Sequence, residues 1–329
     1  MITKQQYQLL SLLHLDAHKP IKEVSRALKM KEYNVRYQLD CLKADEVISG
    51  SQIFVNTYAL GYCQYEVYVS LGINSESQKS KFINYLLTSE RVPWIGEFAG
   101  TYQYGFTVCC RNVFDLNKFL EDLSLKFENI IFNLSVLTRI SYSEFPIKKY
   151  SSLEYSPNYL KFGIVPQLQN IDILDHQILK NLSKNNSIKL IELADELKIS
   201  NQTIHQRLAK LKQKQIIVGS TLLFKIEKLN LHVYKIFLKV KIPNPKLKKQ
   251  IFNYALAKEG FLYFIECLGA WDIEIGVAVT DANEISAVCQ HLLDKFGDKI
   301  SLVNFLITSK YIKAERYPFE ELVTVHGES

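Results

Sequence analysis

The sequence of this chain repeats itself over most of its length. Without a gap, one fixed offset of 169 positions aligns Gln8 with Gln177 and still aligns Leu137 with Leu306. A period of this length far exceeds that of a solenoid repeat, so the sequence predicts two copies of a whole module. Because most homo-oligomers are two-fold dimers, the duplication indicates a dimer fused into one polypeptide. Dipeptides that recur in this register include Leu28-Lys29 with Leu197-Lys198, Gly50-Ser51 with Gly219-Ser220 and Asn84-Tyr85 with Asn253-Tyr254.

Length and composition favour a globular chain. At 329 residues, each copy is long enough to bury its own core. No apolar run approaches the roughly 20 residues that cross a bilayer, and the first residues lack a signal-peptide pattern, so we expect a cytoplasmic protein without a membrane partner. None of the six cysteines lies in a C-x-x-C pattern, which predicts buried reduced thiols and no metal or cofactor. The net charge of +6 is compatible with a polyanionic partner but does not establish one.

Each copy begins with a predicted head of three helices and a strand pair. In the second copy, a first helix is followed by a helix from about Ser187, by the turn Lys198-Ile199-Ser200, and by a third helix that Ser200 caps. The third helix ends near Gln215, and a β-wing follows at 216–219. This order predicts a winged helix-turn-helix, and the first copy repeats it. The inward-facing residues of the third helix are Ile204, Leu208 and Leu211.

The rest of each copy alternates strands and helices. In residues 235–242, every second side chain is aliphatic, while lysines and Phe237 occupy the other face. Helices are predicted at about 76–89 and 113–127, and again at 245–258 and 282–296. The order βαββαβ predicts a ferredoxin-like body whose helices cover one face of its sheet. The other face, with Tyr68 or Phe237, gives the two bodies a surface on which to pair.

The predicted fold class is therefore α+β, a tandem duplication of a winged helix-turn-helix plus a ferredoxin-like βαββαβ domain. The polar segment between the copies contains Ser156-Pro157 and Pro166, which predicts an interdomain linker. The predicted boundaries are head 1 at 1–58, body 1 at 59–146, the linker at 147–169, head 2 at 170–227 and body 2 at 228–318.

Three segments of the second copy resemble the Lrp/AsnC, or feast/famine, family of transcriptional regulators. Residues 173–179 resemble the family's opening helix, residues 191–208 resemble its helix-turn-helix, and Gly269-Ala270-Trp271-Asp272 is similar to its G-x-[aromatic]-D turn. The resemblance covers nearly all of the chain, once per copy. It implies bodies that dimerise through their sheets, higher homo-oligomers, and a small-molecule effector, typically an amino acid, that tunes binding to double-stranded DNA.

The chain departs from the family pattern in two respects. Glu46 and Gln215 stand where the family has glycine before the wing. A left-handed cap without glycine costs about 1 kcal/mol, so we expect the third helix to end differently. In the first copy, Gln103 replaces the turn aspartate and Gln38 stands where the second copy has Arg207, which predicts different tasks for the two halves.

The third helix of the second copy is the predicted DNA reader. From Lys198 to Lys214 the sequence has five cations and no acid. Amide side chains pair with adenine edges, arginine pairs with guanine, and lysines neutralise phosphates. A solvated helix face would carry similar charges, but the recognition position of a helix-turn-helix favours DNA. The candidate contacts are Ser200, Asn201, Gln202, Thr203, His205, Gln206, Arg207 and Lys210.

The third helix of the first copy mixes charges of both signs. Asp45 and Glu46 follow it directly, and acids repel a phosphate backbone. We therefore expect weaker or differently specific DNA binding here, with a scaffold helix as the alternative, and two unequal readers predict an asymmetric operator. The candidate contacts are Lys31, Tyr33, Asn34, Arg36 and Tyr37.

The turn Gly269-Ala270-Trp271-Asp272 is the candidate ligand site. Its backbone N–H groups could bind the carboxylate of an amino acid while Asp272 binds the ammonium. The alternative is a hairpin turn with Trp271 packed underneath. Thr308 and Ser309 on the last strand are further candidates.

An enzyme is the rival class. Some relatives with this two-part architecture decarboxylate a tetrapyrrole and use a histidine-rich stretch near the body's hairpin. The corresponding stretches here, 98–102 and 267–271, contain no histidine. Because no phosphate-binding glycine loop or nucleophile motif is present either, we predict a regulator and not an enzyme. A ligand-sensing or partner-binding protein that has lost DNA binding is the other alternative.

Overall fold

The computed structural model describes residues 2–72, 75–148, 158–165, 167–184, 189–242 and 244–321. The first copy has a three-helix head and a βαββαβ body in the predicted order, but its head has one wing strand where a strand pair was predicted. Its head comprises α1 (Lys4–His14), α2 (Ile21–Leu28), α3 (Glu32–Ala44) and β1 (Ile48–Val55). Its body comprises β2 (Cys63–Leu71), α4 (Glu76–Thr88), β3 (Trp94–Ala99), β4 (Tyr104–Cys110), α5 (Val113–Phe127) and β5 (Ile131–Glu144).

The second copy follows a short strand, β6 (Leu160–Gly163), and has the same element order. Ser187, where the second helix was expected to begin, lies outside the described residues. The head comprises α6 (Ile173–Lys184), α7 (Leu190–Glu196), α8 (Asn201–Gln213) and β7 (Ile217–Phe224). The body comprises β8 (His232–Val240), α9 (Pro245–Ala257), β9 (Phe261–Leu268), β10 (Ile273–Val279), α10 (Glu284–Phe296) and β11 (Ile300–Ala314).

The duplication is visible in the backbone as well as in the sequence. Most of the residues with positive φ recur at the sequence offset, whether or not they are glycine. Together with the repeated element order, this confirms the predicted fold class. The recurring pairs are Lys29 with Lys198, Glu46 with Gln215, Gly61 with Asn230, and Gly100 with Gly269.

The expectation that the third helices would end differently is wrong. Glu46 and Gln215 both have φ of 56°, the left-handed conformation that the family's glycine would adopt. The Ile216 N–H donates to the Leu211 carbonyl at 3.0 Å, and the Gln215 N–H donates to Lys212 at 3.0 Å. These are the capping bonds of a Schellman motif, so the hydrogen bonds hold the helix end against the steric cost of the Cβ atom.

The strands of the two bodies close into one antiparallel ring. Around the ring the order is β2-β4-β3-β11-β8-β10-β9-β5, and β5 pairs with β2 to complete it. The long strands β5 and β11 each pair first within their own body and then with the other body, β5 with β9 and β11 with β3. The bodies are therefore joined at both edges of their sheets as well as face to face.

Aromatic side chains fill the space between the two sheets. Tyr68 of body 1 meets Phe237 and Trp271 of body 2, in each case with ring centroids 5.3 Å apart. Phe237 and Trp271 stack at 4.1 Å. All three side chains are buried. The predicted pairing surface at Tyr68 and Phe237 thus lies where the two copies meet.

The wing strands connect the heads. β1 and β7 form a two-stranded antiparallel sheet, with Gln52 opposite Thr221. Glu46 and Lys225 form an ion pair of 2.8 Å between the copies. Each head is therefore tied to the other through its wing, a pairing that the sequence pattern did not predict.

The predicted linker contributes to the fold. Its first residue, Ile147, is buried, and Leu160–Gly163 extends the sheet as β6 along β5. Phe162 stacks on Tyr142 with centroids 5.3 Å apart. This strand was missed because four residues are too few for a periodic pattern. Residues 149–157 and Pro166 lie outside the described residues.

Two expectations about composition can be compared with the structure. All six cysteines are free thiols, and those at 109, 110, 267 and 289 are buried. No helix in the described part of the chain is long and apolar enough to cross a membrane.

Candidate functional site

The candidate DNA reader, α8, begins at a capped N-terminus. The Ser200 hydroxyl accepts from the Thr203 N–H at 3.0 Å, and the two hydroxyls lie 2.8 Å apart. Ser200 and Thr203 therefore have capping roles within the helix. Ile204 and Leu211 are buried on the inner side of α8 and attach it to the head.

The outer side of α8 is an open polar surface. All of its predicted contacts outside the cap, Arg207 excepted, are exposed. They occupy the N-terminal half and middle of the helix, the part that enters the major groove in helix-turn-helix proteins. The flanking cations Lys198 and Lys212 are exposed as well. We call this surface the α8 face: Asn201, Gln202, His205, Gln206 and Lys210.

Arg207 is the predicted contact that the structure places elsewhere. Its guanidinium forms ion pairs with Asp172 and with Asp175, the latter at 3.2 Å, at the start of α6. The hydrogen bond with Asp172 raises the pKa of Arg207. These contacts join α8 to α6, so the side chain packs within the head and does not extend the α8 face. Sequence reasoning assigned it to guanine because its helical neighbours are exposed.

Head 1 presents a different surface on α3. Tyr33 and Tyr37 are 64% and 63% exposed, and they stand at the positions of Gln202 and Gln206. Lys31 lies over the Tyr33 ring at 6.0 Å from its centroid. Arg36 is exposed and pairs with Glu32 at 4.0 Å, whereas Asn34 is half-buried. Aromatic rings therefore replace amides at two matched positions.

The candidate ligand turn is held by contacts within the chain. Asp272 accepts from the Val240 N–H at 2.8 Å and from Lys239 at 3.3 Å. Lys239 also donates to the Gly269 carbonyl at 2.9 Å, and Trp271 is buried below the turn. Lys239 thus occupies the position predicted for a ligand ammonium. These contacts favour the hairpin alternative.

Two other ligand candidates lie on β11. Thr308 is half-buried and in register with Phe98 and Val233, where β11 passes from β8 to β3. Ser309 is exposed beside it at the register shift. Neither residue contributes to the Gly269 turn itself.

Buried charges inside the ring are the feature that sequence reasoning missed. Lys235 pairs with Glu274, which also accepts from the Tyr68 hydroxyl at 2.6 Å. Arg139 pairs with Glu66. Burial lowers the pKa of Lys235 and of Arg139. A lysine at an alternating position of a strand normally indicates a solvated face, and only the closure of the ring buries it.

Comparisons with known proteins agree with this architecture. A family model described as winged helix-turn-helix DNA-binding matches residues 171–218, from α6 into β7. An uncharacterized HTH-type transcriptional regulator of Pyrococcus furiosus is 26% identical over 146 residues, which are 43% of this chain and 97% of that relative. The HTH-type transcriptional regulator LysM of Sulfurisphaera tokodaii is 27% identical over 119 residues, 36% of this chain and 82% of that relative.

Solved structures of one protein match nearly the whole chain. The siroheme decarboxylase NirDL superposes with a TM-score of 0.60 over 96% of this chain and 94% of that chain, at 11% identity. At this identity the match shows a shared fold alone.

The lengths of these matches agree with the internal repeat, because an almost complete relative corresponds to less than half of this chain. Fold, helix-turn-helix and relatives agree on one class: the chain is similar to HTH-type transcriptional regulators, and its second half contains a winged helix-turn-helix DNA-binding domain.

Proposed function

We propose that the chain is a sequence-specific DNA-binding transcriptional regulator, a fused pseudo-dimer in which one polypeptide supplies both readers. The observation that carries the proposal is the α8 face. It is an exposed row of amides, an imidazole and lysine on a helix that has no carboxylate, within the segment matched by the DNA-binding family model. Amides in such a row can read base edges, while the flanking lysines meet phosphates.

The two readers are unequal, which supports an asymmetric operator. Head 2 offers Gln202 and Gln206 where head 1 offers Tyr33 and Tyr37. The paired wings hold the heads together, so both would meet one duplex at a set spacing, about one helical turn or a multiple of it. Further assembly of the chain into a higher homo-oligomer remains a prediction.

Control by an amino-acid effector at the Gly269 turn is the finer part of the proposal. A ligand ammonium would have to displace Lys239 from Asp272. Asp272→Ala should abolish the thermal shift that such an amino acid produces. An unchanged shift would move the effector to another site.

A binding experiment with matched variants tests DNA recognition. The full chain is incubated with a randomised duplex library, and the selected sequence is measured by fluorescence anisotropy between roughly 50 and 200 mM salt. Gln206→Ala should lower affinity for that sequence about 10- to 100-fold, because an amide–base pair contributes roughly 1–3 kcal/mol. Tyr37→Ala, the matched position of head 1, should have a smaller effect or shift the preference at the other half-site.

Absence of duplex binding would contradict the proposal. If the wild-type chain binds no duplex in a salt-dependent manner, the α8 face is a solvated surface. The alternative of a partner-binding protein without DNA binding would then hold.

A decarboxylase is the second candidate, favoured by the full-length match to NirDL. The interior cavity between wings and bodies measures about 200 Å³. A cavity of about 150 Å³ holds benzene, so four linked pyrrole rings exceed the volume of this cavity. We expect no change in the absorbance spectrum of an iron-uroporphyrin when the protein is added. A saturable spectral change would favour the enzyme.

A further inference from the structure

A cavity lies where the heads meet the ring of strands. Its volume is about 200 Å³. Its walls come from α1 of head 1, both wing strands and the inner surface of the bodies. Residues that represent these walls are His14, Gln52, Leu222, Arg139 and Tyr263.

Two buried hydrogen-bond donors on the cavity wall have no partner among the described residues. They are the Arg139 Nε–H and the Tyr263 hydroxyl, and both residues are 7% exposed. The other guanidinium nitrogens of Arg139 are taken by Gln64, Thr107 and Glu66. A buried donor without a partner is destabilising, so two such donors at one cavity indicate a site for an acceptor.

The neighbouring carboxylate, Glu274, is already shared between two other donors. Glu274 lies near enough to Tyr263 to raise its pKa, an effect that adds to the larger effect of burial. However, one Glu274 oxygen is bound to Lys235, and the other accepts from the Tyr68 hydroxyl. Among the described residues, the Tyr263 hydroxyl has no hydrogen bond of normal geometry, although Glu274 lies close to it.

The acids on the cavity wall are already paired. Glu144 accepts from Arg316 at 3.0 Å and from the Tyr142 hydroxyl at 2.8 Å. Its other oxygen lies 3.5 Å from His14. Glu315 lies 3.6 Å from Lys313. A ligand ammonium would therefore have to break an existing ion pair, whereas a ligand carboxylate would meet two free donors.

Most of the remaining wall is apolar. Phe162, Leu222, Leu262 and Ile265 line it, together with the ring of Trp94. Since a cavity of about 150 Å³ accommodates a benzene molecule, this one has room for a single ring or a branched aliphatic group with a short acidic chain. Burying that group contributes about 25 cal/mol per Å² of apolar surface.

We propose that this cavity binds a small apolar carboxylate, such as a branched-chain or aromatic carboxylic or 2-oxo acid, in preference to an amino acid. The carboxylate accepts hydrogen bonds from Arg139 and Tyr263, and the apolar group lies among the wing and body side chains. Hydrogen bonds to a charged acceptor are the stronger kind, which gives the acid its advantage over an uncharged analogue.

The cavity walls also link the ligand to the heads. Both β1 and β7 contribute side chains to the wall. A bound ligand would therefore contact the wings and the bodies at their junction. Control of DNA binding through this junction rests on the proposed function. Binding of the acid does not.

Calorimetric titration of the full chain tests the site. The probes are 3-phenylpropanoate and 3-methylbutanoate. Phenylalanine, which adds an ammonium, and 3-phenylpropan-1-ol, which lacks the charge, are the matched comparisons. We expect at least one acid to bind at least tenfold more tightly than its comparison compounds. Absence of binding by both acids at millimolar concentration, or equal binding of acid and alcohol, would overturn the proposal.

Two variants separate binding from folding. Tyr263→Phe removes only the unpartnered hydroxyl, so it should weaken acid binding about tenfold or more while the melting temperature is kept. Tyr85→Phe on the outer helix α4 is the control and should leave affinity unchanged. Ala278→Leu, which extends a side chain into the cavity, should abolish binding. Unaltered affinity in Tyr263→Phe would refute the assigned site.

The two proposals fail separately. Acid binding without any duplex binding would leave the cavity site intact and remove the regulator function. Duplex binding without acid binding would support the regulator function and remove the cavity site.

Discussion

At the residue scale, matched positions in the two heads hold left-handed backbone without glycine. Lys29 and Lys198 do so in the helix-turn-helix turns, and Glu46 and Gln215 do so at the ends of α3 and α8. For a residue with a Cβ atom, this conformation costs roughly 1–2 kcal/mol. Each head therefore carries the same local strain at the same two places, which the capping hydrogen bonds hold in place.

Gln215→Gly should stabilise head 2 by about 0.5–1 kcal/mol. Glycine adopts this conformation without the steric clash of a Cβ atom. The steric free energy that is removed exceeds the extra conformational-entropy cost of fixing glycine on folding. Thermal unfolding followed by circular dichroism measures the effect. The neighbouring Gln213→Gly, in a helical conformation, should destabilise the head by a similar amount. A lower melting temperature for both variants would show that the left-handed backbone is not strained.

At the element scale, the segment after β11 fastens head 2 to the bodies. Tyr317 is fully buried, and its hydroxyl lies 2.8 Å from His176 Nδ1 on α6. Glu320 forms ion pairs with Lys180 and with Lys184, the latter at 2.7 Å. The segment thus adds contacts to the first helix of the head. Burial lowers the pKa of His176, so that imidazole stays neutral in the folded state more readily than in the unfolded one.

The ion pairs of Glu320 should make this attachment sensitive to acid. The hydrogen bonds from Lys180 and Lys184 lower the pKa of Glu320 from 4.5 to about 2. A carboxyl whose folded pKa is depressed stabilises above its unfolded pKa and loses that contribution as the pH falls towards the folded value. Glu320→Gln should therefore cost roughly 0.2–1 kcal/mol at pH 7, as expected for exposed pairs.

Urea unfolding of Glu320→Gln and wild type between pH 7 and 3 measures that difference. The difference in the free energy of unfolding between the two proteins should stay constant down to about pH 5. Below that pH it should become smaller, because Glu320 begins to protonate in the unfolded chain. A difference that is independent of pH would contradict the assignment.

At the scale of the whole molecule, the two copies are unequal halves of one closed structure. Glu66 and Lys235 occupy equivalent positions at the sequence offset but have opposite charge. Each has a buried partner in its own copy, Arg139 and Glu274. A symmetric dimer of either copy would place like charges at these interior positions. Because each charge is neutralised within its own copy, this difference shows that the two interiors have diverged.

The closed ring should keep the copies together without a covalent link. A protease site introduced between Lys149 and Pro157 is expected to give two fragments that elute as one particle in size-exclusion chromatography. The reason is that β5 pairs with β9 and β11 pairs with β3, so strands of each copy complete the sheet of the other. The uncleaved variant is the control, and separation of the fragments without denaturant would contradict the expectation.

Local pattern predicted the elements well. The expected helices at 76–89 and 245–258 are α4 (Glu76–Thr88) and α9 (Pro245–Ala257), because capping residues and helical periodicity lie within the elements themselves. The candidate site was predicted in part. The α8 face is exposed as expected, whereas Arg207 and Asp272 are bound by Asp172 and Lys239. Those partners lie 35 and 33 residues away, beyond the reach of a helical or strand period.

By itself, the sequence determined the duplication, the order of the elements and the polar outer side of α8, since each of these is encoded by neighbouring residues or by one fixed offset. The tertiary structure alone decided which polar residues are buried. Lys235 alternates with aliphatic residues as a surface side chain would, yet strand pairing between the copies buries it beside a cavity. Enclosure depends on contacts between distant strands, and no local pattern contains that information.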